Sequence, residues 1–141
     1  MTDATNRVDS VNGRSANLLP GFLGVVVTRI SDDVVEAQID LQSHHMAPNG
    51  FLHAAAVIAL ADSACGYGCV ESLPEGAESF TTVEQKSNHL GTAREGTITC
   101  RAQAVHKGRT TQVWDAQVFH QKTGKTIAMY RCTQMILYPR K

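Results

Sequence analysis

One carboxylate dominates the chemistry that this chain could perform. Asp62 lies inside Phe51–Val70, a run of Ala, Val, Ile, Leu and Cys with few polar interruptions. An unpaired carboxylate removed from water is costly, so this one either meets a hydrogen-bond partner, including one across a subunit interface, or faces a cavity where an acid-base group is useful. The approach to the same helix carries the second half of a reaction centre. Pro48-Asn49-Gly50-Phe51-Leu52-His53-Ala54-Ala55 leads through loop residues into a helix whose first N–H groups have no intrahelical acceptor and carry the positive end of the helix dipole. Such an end binds an anion or a developing oxyanion. A carbonyl held there, with a carboxylate near its carbon, is the pairing that acyl transfer to water requires.

Other side chains are weaker candidates. Lys107 and Arg109 flank a Gly108 turn and could clamp phosphates, although charged turn residues are commonly just solvated. His44 and His45, adjacent in a loop, read as exposed bystanders, and His89, His106 and His120 receive no role. Glu84 reads as a solvent-facing strand residue and Trp114 as core or interface packing. The four cysteines, at 65, 69, 100 and 132, make no C-x-x-C pair and read as buried thiols of a reducing compartment, not as a metal site.

The elements that must hold these residues follow from periodicity. Residues 1–15 are polar and read as a flexible lead-in, with a short helical turn near Ala16–Leu19 before Pro20 and Gly21 break the chain. Phe22–Ile30 and Val35–Leu41 read as a hairpin turned by Ser31-Asp32-Asp33. A helix from about His53 to Leu73 follows. Its apolar run is long enough to cross a bilayer, but Asp62 at its centre would cost about 2.5–3.5 kcal/mol on insertion, so it reads as a buried helix of a soluble protein. Strands then recur over Thr81–Leu90, around Ile98–Ala104, around Trp114–Val118 and over Ile127–Leu137, with turns at Lys107-Gly108 and Thr123-Gly124. This is an α+β arrangement of five or six antiparallel strands with one central helix. Eight Ala and Gly residues of the helix, from Ala54 to Gly68, would let a curved sheet approach closely and wrap it. With 13 basic and 13 acidic residues, the chain lacks the electrostatic footprint of a nucleic-acid or anionic-membrane binder, and its neutrality favours self-association.

Gly50-Phe51-Leu52-His53-Ala54-Ala55 followed by Leu60-Ala61-Asp62 resembles the Gly-x-x-His-Gly-Gly and Leu-x-Asp pattern of the hotdog-fold acyl-CoA thioesterases of the phenylacetyl-CoA and 4-hydroxybenzoyl-CoA thioesterase group. The likeness extends over about residues 18–138 and takes in Thr82-Val83-Glu84, Thr92–Gly96 and His106–Thr111. It implies a single hotdog domain over 16–141. It further implies that Asp62 is general base or nucleophile, that the Ala54 N–H is the oxyanion donor with His53 fixing the turn, and that Thr82 lies near the attacking water. Gly108, Arg109 and Thr110, with Lys107, would approach the phosphates and pantetheine arm of CoA; Asn49, Gly50 and Arg94 complete the expected substrate contacts. The site would lie between two protomers of a homodimer or tetramer.

This chain departs from the family pattern in three places. Alanines replace both motif glycines, Ala47 stands where relatives carry Asn or Gln, and the Arg of the Leu-Arg-Pro-Ala stretch is missing at Leu90-Gly91-Thr92-Ala93, leaving Arg94 nearby. The expectation is a cytoplasmic acyl-CoA thioesterase acting on an aryl or short-to-medium acyl group, needing no cofactor or metal because CoA belongs to the substrate. Its rivals are a hotdog enoyl-CoA hydratase using Asp62 with His53, and a non-catalytic acyl-CoA-binding module.

Overall fold

One nearly uninterrupted apolar segment, with period-2 alternation before and after it, places one long helix against one sheet. The computed structural model describes residues 3–141: α1 (Asp3–Ser15), α2 (Leu19–Phe22), β1 (Val26–Ser31), β2 (Val34–Asp40), a 3₁₀ turn at Ser43–His45, α3 (Ala54–Glu71), β3 (Ser79–His89), β4 (Thr97–Lys107), β5 (Thr111–His120) and β6 (Thr126–Leu137). The six strands form one antiparallel sheet in the order β1-β2-β4-β5-β6-β3. The sheet wraps α3, which is the expected hotdog arrangement.

The close approach of helix and sheet has a compositional cause. Ala37, Cys100, Ala102, Ala116 and Cys132 form the middle of the inner face, and they meet Ala56, Val57, Leu60, Ala61, Ala64 and Cys65 of α3. Where the side chains become large, the helix becomes small: a Cβ on Gly68 would lie 2.4 Å from the Trp114 ring. Trp114 itself is buried core, as expected, with its indole N–H donated to Gln112 Oε1 at 2.8 Å.

The N-terminal third differs from the sequence reading. Residues 1 and 2 lie outside the described residues, but Asp3–Ser15 is a helix and not a flexible lead-in. Its apolar signal is only Val8 and Val11, yet Val11 is buried and the Asn12 side chain both donates to Val27 O and accepts from Val27 N–H, at 2.9 Å each. Asn12 thus pairs with the otherwise open edge of β1. The helical turn expected at Ala16–Leu19 falls instead at Leu19–Phe22. Pro20 starts that helix without breaking it, since its missing N–H has no partner in a first turn. Gly24, at φ +80°, ends the turn, and the strand begins at Val26, not Phe22.

Candidate active site

The residues that approach α3 are held by a stack of backbone bonds. Gly50 N–H donates to Ala47 O at 2.9 Å, closing a turn with Pro48 and Asn49 at its centre; Gly50 follows at φ +86°, a conformation glycine adopts without strain. The Asn49 side chain accepts from Phe51 N–H, Leu52 N–H donates to Thr92 Oγ1, and Arg94 Nε donates to Gly50 O at 3.1 Å with its guanidinium 5.3 Å from the Phe51 ring. Asn49, Gly50 and Arg94 therefore shape this turn.

His45 corrects the sequence reading. It is 2% exposed, its Nδ1 accepts Gln42 N–H, its Nε2 donates to Leu23 O at 2.7 Å, and its own carbonyl accepts from His53 N–H. His44 is exposed, as expected. A buried histidine between the start of the sheet and the start of α3 is a structural pin, which adjacency to another loop histidine concealed.

His53 is the N-cap of α3. Its Nδ1 accepts from Ala55 N–H at 2.9 Å, and its carbonyl accepts from Ala56 N–H. Among the described residues this leaves Ala54 N–H, at the first helical position, without an acceptor, and Ala54 is exposed. One donor of the helix terminus thus points to solvent while its neighbours are satisfied.

Asp62 is half-buried in mid-helix, and its partner comes from the sheet. Tyr130 of β6 donates its hydroxyl to Asp62 Oδ1 at 2.8 Å, and Gln85 Oε1 of β3 lies 3.0 Å from the same hydroxyl. Burial first, and the bond to Asp62 second, push the Tyr130 phenol well above its ordinary value, so it remains a donor. Neither Tyr130 nor Gln85 was singled out by sequence reasoning. The available signal was a tyrosine on the inner face of a strand whose alternate residues are Ala128, Cys132, Gln134 and Ile136, because a buried phenol needs a polar partner. Of the cysteines around it, three are held as protonated thiols: burial raises Cys69 and Cys100 to about 12, and Cys65, hydrogen-bonded to Cys132 and buried, is pushed well above the thiol range, whereas Cys132, two residues from Tyr130, is lowered by its bond with Cys65.

The remaining predicted residues lie elsewhere. Thr82 donates to buried Gln134 at 2.7 Å and has no hydrogen bond to Asp62, while Glu84 is exposed, as expected. Lys107 forms a solvent-exposed ion pair with Asp33. Gly108 N–H donates to Thr111 O, the Arg109 guanidinium lies 5.8 Å from the Tyr138 ring, and Thr110 O accepts from Ile136 N–H. This turn belongs to the C-terminal end of α3, where Gln112 Nε2 donates to Ser72 O at 3.0 Å. The candidates thus fall into three groups along one helix: the turn and Ala54 N–H at its start, Asp62 with Tyr130 in its middle, and Lys107–Thr110 at its end. Ala54 and Asp62 are about 12 Å apart along the axis at ~1.5 Å per residue.

Comparisons with known proteins agree with this fold. Residues 49–127, which include α3 and most of the sheet, match the family model of the thioesterase superfamily. The chain is 32% identical over 133 residues to the 1,4-dihydroxy-2-naphthoyl-CoA hydrolase of Escherichia coli, covering 92% of this chain and 94% of that protein. It is 29% identical over 119 residues to the enzyme of the same name from Listeria monocytogenes, covering 84% and 95%. The crystal structure of a glutamine-to-alanine variant of the thioesterase PA1618 from Pseudomonas aeruginosa superposes with a TM-score of 0.87 at 28% identity, over 92% of this chain and 93% of that one. With the fold, the capped helix start and the mid-helix acid in place, the chain belongs to the thioesterase superfamily and is an enzyme of that family, a thioester hydrolase.

Proposed function

We propose that this protein hydrolyses acyl-CoA thioesters, with Asp62 as general base and Ala54 N–H as oxyanion donor. The observation that carries the reading is Asp62 itself: a half-buried carboxylate in the middle of an apolar helix, with one oxygen held by a phenol and no ion pair among the described residues. Asp62 Oδ2 takes a proton from water as the water oxygen adds to the thioester carbon. The carbonyl oxygen becomes an oxyanion facing Ala54 N–H and the α3 dipole. Collapse of the tetrahedral intermediate expels CoA thiolate and leaves the free acid, and the proton held by Asp62 returns to the products. Thr82, committed to Gln134, moves no proton in this scheme. Lys107, Gly108, Arg109 and Thr110, at the far end of α3, remain the groups for the CoA phosphates, with Arg94 at the helix start beside the Ala47–Gly50 turn.

Two copies of the chain build the site. A donor and a base about 12 Å apart on one helix cannot both lie ~3 Å from one carbonyl group. The acid of one protomer therefore faces the helix start of the other. The sheet offers an edge for the pairing: β3 is 11 residues long, terminal in the strand order and exposed along most of its length. The CoA thioester hydrolases among the relatives support CoA as the carrier, and the naphthoyl group in their names makes aromatic acyl-CoAs the first substrates to try.

The test is thiol release from a panel of aryl-, short- and medium-chain acyl-CoAs. Asp62→Asn should lower kcat by roughly 10²–10⁴-fold, the range for loss of a general base. Tight acyl-CoA binding without thiol release by the unaltered protein would overturn the reading, and hydration of an enoyl-CoA would replace it.

A further inference from the structure

The side chains that hold Asp62 come from two strands distant in sequence, and their bonding has a built-in asymmetry. We propose that Tyr130, backed by Gln85, is the positioning residue for Asp62: its hydroxyl holds Oδ1 and leaves Oδ2 alone to face the substrate. The inference rests on the hydrolase reading for its kinetic consequence and on geometry for its substance.

The hydroxyl at 2.8 Å from Asp62 Oδ1 and 3.0 Å from Gln85 Oε1 carries one proton and cannot donate to both. Turning the Gln85 amide over resolves the conflict. Gln85 Nε2–H then donates to the Tyr130 oxygen and the phenol proton goes to Asp62, giving a relay that runs from β3 through β6 to α3. The register supports it: Gln85 pairs with Cys132 and Ser87 with Tyr130, so Gln85 and Tyr130 are diagonal neighbours on the inner face. Tyr130 is 4% exposed and its ring is fixed among core residues, whereas Gln85 is exposed. The ordering of Asp62 thus comes from the buried partner. A phenol, unlike a Lys or Arg, orders the carboxylate without supplying a full countercharge that would weaken it as a base.

The test combines kinetics with a measurement that needs no turnover. Tyr130→Phe keeps the ring and removes only the hydroxyl. It should lower kcat about tenfold with KM within about twofold and melting nearly unchanged, and Gln85→Ala should give a smaller loss of the same kind. In an Asp62→Asn background, Tyr130→Phe should cost nothing further. Tyr130→Phe with unaltered kcat, or with kcat loss tracking a lost fold, overturns the proposal. Independently, the Tyr130 ¹³Cζ resonance is compared at neutral pH in the unaltered protein and in Asp62→Asn. Exchanging the carboxylate acceptor for a neutral amide weakens the bond that polarises the phenol and should move that resonance upfield; an unchanged resonance overturns the proposal. If no acyl-CoA releases thiol but the resonance moves as expected, the hydrolase reading fails and the positioning of Asp62 by Tyr130 stands.

Discussion

Ala54 occupies the first helical position of α3, where a backbone N–H is expendable to the helix but not to an oxyanion. This separates chemistry from folding in one substitution. Proline is favoured at a first helical position, and the preceding residue must be extended, which His53 already is at φ −67° and ψ 130°. The His53 cap uses Ala55 N–H and is untouched. Ala54→Pro should therefore fold and melt like the unaltered protein while kcat falls by roughly 10²–10³-fold, the loss typical of one oxyanion donor. Steady-state kinetics beside a thermal melt check it, and unchanged kcat would exclude Ala54 N–H from the reaction. Asp62 and His53 were legible in the sequence because each is chemically odd in its place: an acid within an apolar run, and a polar residue where a helix begins. Tyr130, Gln85 and His45 were not, because their partners lie 68, 45 and 22 positions away along the chain. No local pattern encodes such pairings.

Among the elements, α3 is the one whose composition most directly sets the fold, and its glycines are not equivalent. A methyl at Gly68 would meet the Trp114 ring at 2.4 Å, and that ring is pinned by core packing and by its bond to Gln112. A methyl at Gly66 would lie 3.2 Å from Phe80 Cζ, the tip of a half-buried side chain on the edge strand. Replacing glycine by alanine inside a helix gains up to ~1 kcal/mol of propensity, while overpacking a core costs ~1–3 kcal/mol. Gly68→Ala should thus be net destabilising by about 1–2 kcal/mol, and Gly66→Ala should be neutral or slightly stabilising. Denaturant melts of the two variants test the contrast; equal effects would mean that the Trp114 ring is free to move. α3 was legible because it is apolar nearly all round, and β2, β4, β5 and β6 because their apolar residues alternate, whereas β3 carries no such alternation and reads less regularly. α1 was not, because two valines and one edge-capping amide hold it, and an amide that pairs with a strand looks in sequence like any polar residue.

At the scale of the whole molecule, the distribution of the three residue groups along α3 has a testable consequence. If the acid of one protomer serves the helix start of another, inactivating variants at the two places should complement. An Asp62→Asn chain still provides Ala54 N–H, and an Ala54→Pro chain still provides Asp62. In a mixed dimer one of the two sites receives both intact groups and the other receives both defects. Dissociated, mixed in equal amounts and reassociated, half the dimers are mixed and half of their sites are whole, so about a quarter of the unaltered activity should return from two nearly inactive parents in an isologous pair. The recovered activity should show the unaltered KM, since each restored site is complete. A site contained in one chain predicts no recovery at any mixing ratio, because each chain would carry its own defect into every site. Thiol release after mixing, with exchange of subunits followed by mass, distinguishes the two outcomes, and exchange without recovery would confine the reaction to a single protomer.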